Sequence, residues 1–161
     1  MSLYGLQQLI DSTRVVRKNT IQIAEDIPET DYGYRPTPES RSVAETLAHI
    51  AFLLQINRRL HGSERVFSLS EETIGEIIKQ SEADEKLPRS KGELLTLLRE
   101  GAEEKCEWLA TLSEAVLAEQ VRMPDGGSKS RFEILIGSKE HEMHHRRSSP
   151  SSSDCWELCR T

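Results

Sequence analysis

The sequence predicts an all-α protein built as a four-helix bundle. Four long segments repeat apolar residues at steps of three and four, two capping boxes punctuate them, and apolar–polar alternation never lasts more than a few residues. At 161 residues the chain is one domain's length. Such a chain buries roughly two thirds of its unfolded surface, so it needs neither disulfides nor a structural metal to fold.

From Leu3 to about Asp26 the stripe runs through Leu6, Ile10, Thr13, Val16, Thr20 and Ile23, which predicts the first helix. Residues 27–41 hold three prolines and a glycine and form a long connection. Ser42 followed by Glu45 is a capping box, and a second helix runs from it to about Leu60. His61, Gly62 and Ser63 end it. Within residues 64–88 a short helix is expected over Glu71–Gln80. Ser90 with Glu93 is a second capping box, opening a third helix to about Leu117 on Leu94, Leu97, Leu98, Ala102, Trp108, Leu109 and Leu112. Pro124-Asp125-Gly126-Gly127 signals a turn. Ser130 is the expected N-cap of a fourth helix carrying Phe132, Leu135 and Ile136.

With 27 acidic against 21 basic side chains the formal charge is −6, and no basic stripe suits nucleic acid or an anionic membrane. No apolar run approaches the roughly 20 residues of a membrane span, and MSLYGLQQLIDSTR lacks the basic and apolar regions of a signal peptide. A cytoplasmic protein is the expectation. Three cysteines, Cys106, Cys155 and Cys159, are an odd number that argues against a disulfide framework, and Cys106 reads as a small buried apolar residue.

The histidines carry the chemistry. Of five, three fall in His141-Glu142-Met143-His144-His145. Residues four apart lie one above the other on a helix, so His141 and His145 can address one metal ion while His144 is rotated away to the surface. Helical steps back from His145 give His141, Ser138 and Ile134, continuous with the apolar start of the fourth helix. His49 heads a comparable stripe with Leu53, Ile56 and Leu60. Three imidazoles on two stripes that can face each other need a common partner to offset desolvation, and a metal is the economical one. Three neutral imidazoles leave coordination positions open, the layout of a catalytic site. Glu140 and Glu142 are read as a solvated helix face, with a supporting or base role as the alternative. His61 is read as an exposed or dipole-stabilised helix end.

The string Ser42-Val-Ala-Glu-Thr-Leu-Ala-His49-Ile, preceded by Tyr34-Arg35-Pro36, and the string Lys139-Glu-His141-Glu-Met-His-His145-Arg146 resemble the DinB/YfiT-like superfamily over about residues 3–146. The resemblance implies an up-down-down-up four-helix bundle and a homodimer. It also implies a divalent metal, nickel or zinc foremost with iron or manganese as alternatives, held by His49, His141 and His145. Its characterised members include transferases and isomerases that use low-molecular-weight thiols, and metal-dependent hydrolases. The expected function is therefore a metal-dependent enzyme that activates a water or a thiol for hydrolysis or thiol-dependent transfer. The expected partner is a small-molecule substrate, a low-molecular-weight thiol among the candidates, with no nucleic acid and no membrane. The competing class is a non-catalytic helical bundle, either a binding module or a metal-binding, stress-related protein whose structural ion would call for a fourth protein ligand.

In proteins of this kind the fourth helix continues past the last histidine. Here Arg146 is followed by RSSPSSSDCWELCRT, whose serines and Pro150 stop a helix within a turn. A single-base shift after Arg146 can spell ELTFIERLLGIVPH from the same codons. That reading puts Leu, Ile and Leu where Ser149, Ser152 and Trp156 stand and extends the 134, 138, 141, 145 series. Residues 1–146 are accordingly the bundle domain, and 147–161 are an atypical tail, a frameshifted remainder of the fourth helix.

Overall fold

The computed structural model describes residues 4–62 and 65–147. Four long helices, α1 (Leu6–Asp26), α2 (Val43–His61), α4 (Lys91–Ala110) and α6 (Arg131–Arg147), build the bundle. Two shorter ones, α3 (Glu71–Glu85) and α5 (Glu114–Ala118), and a two-stranded hairpin of β1 (Gln120–Arg122) and β2 (Ser128–Ser130) fill the connections. Both predicted capping boxes form. The Ser42 hydroxyl accepts from the Glu45 N–H at 3.1 Å while the Glu45 carboxylate accepts from the Ser42 N–H at 3.0 Å, and Ser90 and Glu93 repeat the arrangement. Ser130 and Glu133 make a third at the start of α6.

Contacts at the helix ends set the topology. The start of α4 meets the end of α1, where Lys91 Nζ donates to the carbonyls of Glu25 and Ile27. Just before α2, the Tyr32 hydroxyl donates to the Ala24 carbonyl, so α2 also starts at the end of α1. The first residue of α6, Arg131, donates to the Leu60 carbonyl at the end of α2. Helices α2 and α4 therefore run antiparallel to α1, and α6 runs antiparallel to α2, which is the up-down-down-up order. The long connection of residues 27–42 permits it, because α1 and α2 lie diagonally and α4 and α6 flank each of them.

Three local expectations change. The predicted third helix divides, because α4 ends at Ala110 and the Ser113 hydroxyl accepts from the Val116 N–H at 3.3 Å to cap a separate α5. The Pro124–Gly127 turn closes a hairpin rather than a plain connection. The Gly126 N–H donates to the Met123 carbonyl, and Gly126 takes a φ of 85°, the left-handed conformation glycine tolerates after a turn with proline in its second position. Helix α3 runs five residues beyond Gln80, to Glu85. Of the tail assigned to residues 147–161, only Arg147, the last residue of α6, lies within the described residues.

The interior has two apolar clusters, one around Leu47, Ile50, Leu94 and Leu98 and one around Leu9, Ile10, Leu109 and Leu135. Cys106 belongs to the second and is a free, buried thiol whose pKa burial raises. A polar staple joins all four walls. Arg17 of α1 is 2% exposed and donates to the Ile50 carbonyl of α2, the Leu98 carbonyl of α4 and both carboxylate oxygens of Glu142 of α6 at 2.7 and 3.1 Å. The Thr20 hydroxyl donates to the same carboxylate at 2.9 Å. Glu142 is thus a buried structural anion, 1% exposed, and not the solvated residue its neighbours suggest, whereas Glu140 is exposed. His61 is likewise buried, 2% exposed, beside Arg131. Burial and the Arg131 charge push its pKa down to about 4.

Lys105 of α4 is buried near this staple, and its ammonium has no hydrogen-bond partner among the described residues. Burial pushes its pKa down to about 8, with the nearby Glu142 opposing. The unfolded chain holds this proton until about pH 10.4, so between those values it binds more protons than the native state and stability rises with pH. The cost of the buried charge is complete below about pH 8. Lys105→Met is expected to raise the urea midpoint at pH 7, and the gap to the wild type should narrow by pH 10. Equal midpoints at pH 7 would show that the ammonium carries no such cost.

Candidate metal centre

The three predicted histidines meet. His49 projects from α2, and His141 and His145 from consecutive turns of α6. Each ring offers one nitrogen, and the three lie within 4.8 Å of one another. His141 Nε2 stands 3.0 Å from His49 Nε2 and 3.0 Å from His145 Nε2. Burial and the neighbouring imidazoles depress the pKa of His141 and take that of His145 down to about 4, so these rings are neutral donors. His144 is exposed and only edges against the His145 ring, as its rotation by one residue requires.

Glu85, at the C-terminal end of α3, was not singled out in the sequence. It is 3% exposed, and its Oε1 lies 2.7 Å from His49 Nδ1. Burial opposes its ionisation, but the bond and charge of His49 and the Arg41 guanidinium outweigh burial and hold its pKa below the ordinary carboxylate range. An ionised Glu85 favours a proton on His49 Nδ1, the arrangement that frees the Nε2 lone pair toward His141 whenever the ring is to bind a metal. One N–H at His141 cannot serve two neighbours at 3.0 Å well, so neutral rings alone leave a contact poorly satisfied. A cation at the point of convergence would satisfy all three lone pairs. The donor set fits a divalent ion of the imidazole-preferring kind, with no fourth protein ligand grouped with it among the described residues.

The centre lies where two cavities meet. On one side is an apolar cleft of about 490 Å³ between α2, α3 and α6. Leu53, Ile56, Ile74, Ile77 and Ile134 line it, with one polar pair, Asn57 donating to the Ser138 hydroxyl at 2.8 Å. On the other is a polar groove that includes Arg35, Glu39, Glu45, Glu82 and Lys86. Arg41, Glu85 and His145 border both. Arg41 immediately precedes the Ser42 cap and donates through Nε to Glu85 Oε2 at 3.1 Å. Its position beside a capping residue hides it in the sequence. Glu85 is equally inconspicuous among the other acids of α3.

Solved structures share the architecture. YfiT from Bacillus subtilis, described as a probable metal-dependent hydrolase with an unusual four-helix bundle topology, superposes with a TM-score of 0.64 at 17% identity over 91% of this chain and 84% of its own. The DinB-like protein YjoA from Bacillus subtilis gives 0.61 at 21% identity over 86% of this chain and 85% of its own. A mycothiol-dependent maleylpyruvate isomerase gives 0.63 at 16% identity over 89% of this chain. This chain covers 60% of that isomerase's length. At these identities the likeness speaks to the fold. Among curated proteins none matches the chain. Among the described residues no helix is long and apolar enough to cross a membrane. The family model of the DinB superfamily matches residues 12–148, a span that takes in all three histidines, Glu85 and the whole bundle apart from the first turns of α1, and the chain belongs to that superfamily.

Proposed function

We propose that this protein is a divalent-metal-dependent enzyme whose ion is held by His49, His141 and His145 and activates a water or a thiol for hydrolysis or thiol-dependent transfer. The observation that carries the reading is the convergence of three ring nitrogens within 4.8 Å from two helices, one ring backed by a buried carboxylate. The likeness to two solved structures, those of a mycothiol-dependent isomerase and a probable metal-dependent hydrolase, supports it. Nickel and zinc, the ions the family resemblance puts foremost, are among those that imidazole ligands suit. When bound, such an ion supplies Lewis acidity that lowers the pKa of a water toward about 7 or holds a thiol as its thiolate.

The chain's own residues do the rest. Glu85 fixes the His49 tautomer by accepting a hydrogen bond from the Nδ1–H, and Arg41 balances the Glu85 charge so that the carboxylate stays ionised in a buried place. Helix α6 presents His141 and His145 one turn apart, and the polar groove and the apolar cleft bring small molecules to the centre from two sides. The same reading takes a small-molecule substrate, a low-molecular-weight thiol among the candidates, and a homodimer in the cytoplasm. Elemental analysis of purified protein is expected to find about one divalent ion per chain, and His49→Ala and His141→Ala are expected to lose it. Excess metal should raise the melting temperature of the wild type alone, by the linkage worth about 2.7 kcal/mol at a hundredfold excess over Kd. A wild type without stoichiometric metal, melting no differently from the variants, would overturn the proposal.

A further inference from the structure

We infer that the cleft between α2, α3 and α6 takes the aliphatic body of an anionic small-molecule substrate, with Arg41 beside the ion receiving its charged head and Gly137 keeping the cleft open. The inference rests on the metal-dependent reading above and adds the substrate class. A volume of about 490 Å³ is that of a small-molecule site. Away from the three histidines its walls are mostly branched aliphatic side chains, and no Phe, Tyr or Trp is among the described residues that line it. That aliphatic part gains from removing methylenes from water and offers no ring on which a planar group could stack.

Charge selects the head. Arg41 and Glu85 are the only formally charged residues lining the cleft among those described, and they are paired to each other. Their charges cancel, so the whole charge of a divalent ion at the histidines is left for a substrate anion. Arg41 gives only its Nε–H to Glu85 Oε2, and its two terminal nitrogens carry the remaining donors of a fork suited to carboxylates. Its side chain is 36% exposed, on the border of cleft and groove. The Asn57–Ser138 pair gives the apolar wall one polar place, for an oxygen or amide along the chain.

Gly137 sits one helical turn before His141 and lines the cleft. Glycine inside a helix lowers its stability relative to other residues. Nothing in the packing requires it, because a Cβ built there meets no atom within 4 Å. The space a side chain would take is the cleft itself. A leucine at 137 is therefore a plug that favours the helix.

Calorimetric titration of zinc-loaded protein with octanoate tests this, with acetate and 1-octanol as comparisons and zinc counted in the same samples. Octanoate is expected to bind at least about tenfold more tightly than acetate, which lacks the methylenes, and than 1-octanol, which lacks the charge. Gly137→Leu is expected to keep its zinc, melt no lower than the wild type and bind octanoate at least about tenfold more weakly. Arg41→Gln should weaken octanoate and leave 1-octanol unchanged. Octanoate binding no tighter than either comparison, or undiminished binding to zinc-loaded Gly137→Leu, overturns the inference. A wild type that takes up no zinc overturns the ion reading instead, so the two failures are distinguishable.

Discussion

Glu142→Leu is expected to destabilise the bundle by about 3–5 kcal/mol, the loss typical of removing one partner from a buried ion pair. Arg17 would keep its carbonyl partners Ile50 and Leu98 but lose two bonds to a carboxylate and the counter-charge itself, at 2% exposure. The Thr20 hydroxyl, which shares one proton between this carboxylate and the Val16 carbonyl, would keep only the carbonyl, and the buried Lys105 would lose the neighbour that most favours its charge. Removing both charges should cost far less than the two single changes added together, because apolar groups of similar volume satisfy a core that an orphaned guanidinium does not. Urea denaturation of Arg17→Met, Glu142→Leu and the double variant checks this. Additive losses in that cycle would show that the pair is not the coupling between α1 and α6. The consequence reaches the centre, because Glu142 lies between His141 and His145 in sequence and ties to α1 the turn of helix that carries both.

Glu85→Gln is expected to weaken divalent metal binding about 10- to 100-fold while leaving the three histidines in place, the usual cost of losing a carboxylate that orients a ligating imidazole. Glutamine can still offer an oxygen to His49 Nδ1, but without the charge that fixes the tautomer, and Arg41 loses its counter-ion. The readout is competition for the metal against a chelator of known affinity. Unchanged affinity in the glutamine variant would assign Glu85 to holding α3 against α2 and nothing more.

Much of the bundle is legible in the residue order, for a local reason. The stripe of α1 through Ile10, Thr13, Val16 and Thr20 is buried as its spacing requires, and the capping boxes at Ser42 and Ser90 start α2 and α4 where they stand in the sequence. These signals are short-range, depending on bonds and side-chain directions within a turn or two. The break between α4 and α5 was less visible because Leu112 continues the stripe, and only the competing cap at Ser113 ends it. The hairpin strands, three residues each, are too short to show a period, and their edge pairing with Phe67 and Leu69 comes from far along the chain.

The site divides along the same line. His49, His141 and His145 could be named beforehand because two lie four apart on one helix and the third heads a stripe of its own, so helical geometry alone puts them on faces that can meet. Glu85 and Arg41 could not, since their importance arises from α3 folding back on α2 and bringing a carboxylate from 36 residues away to within 2.7 Å of His49. Glu142 shows the converse: a glutamate beside histidines reads as solvated until α1 delivers Arg17 across 125 residues of sequence to bury it. Periodicity and capping, which are local, determined that this chain forms a helical bundle with three histidines on stripes that can face each other. Which charges are buried, which carboxylate steadies the histidines and where the cleft opens were decided by long-range packing, because desolvation and ion pairing depend on what surrounds a group in space.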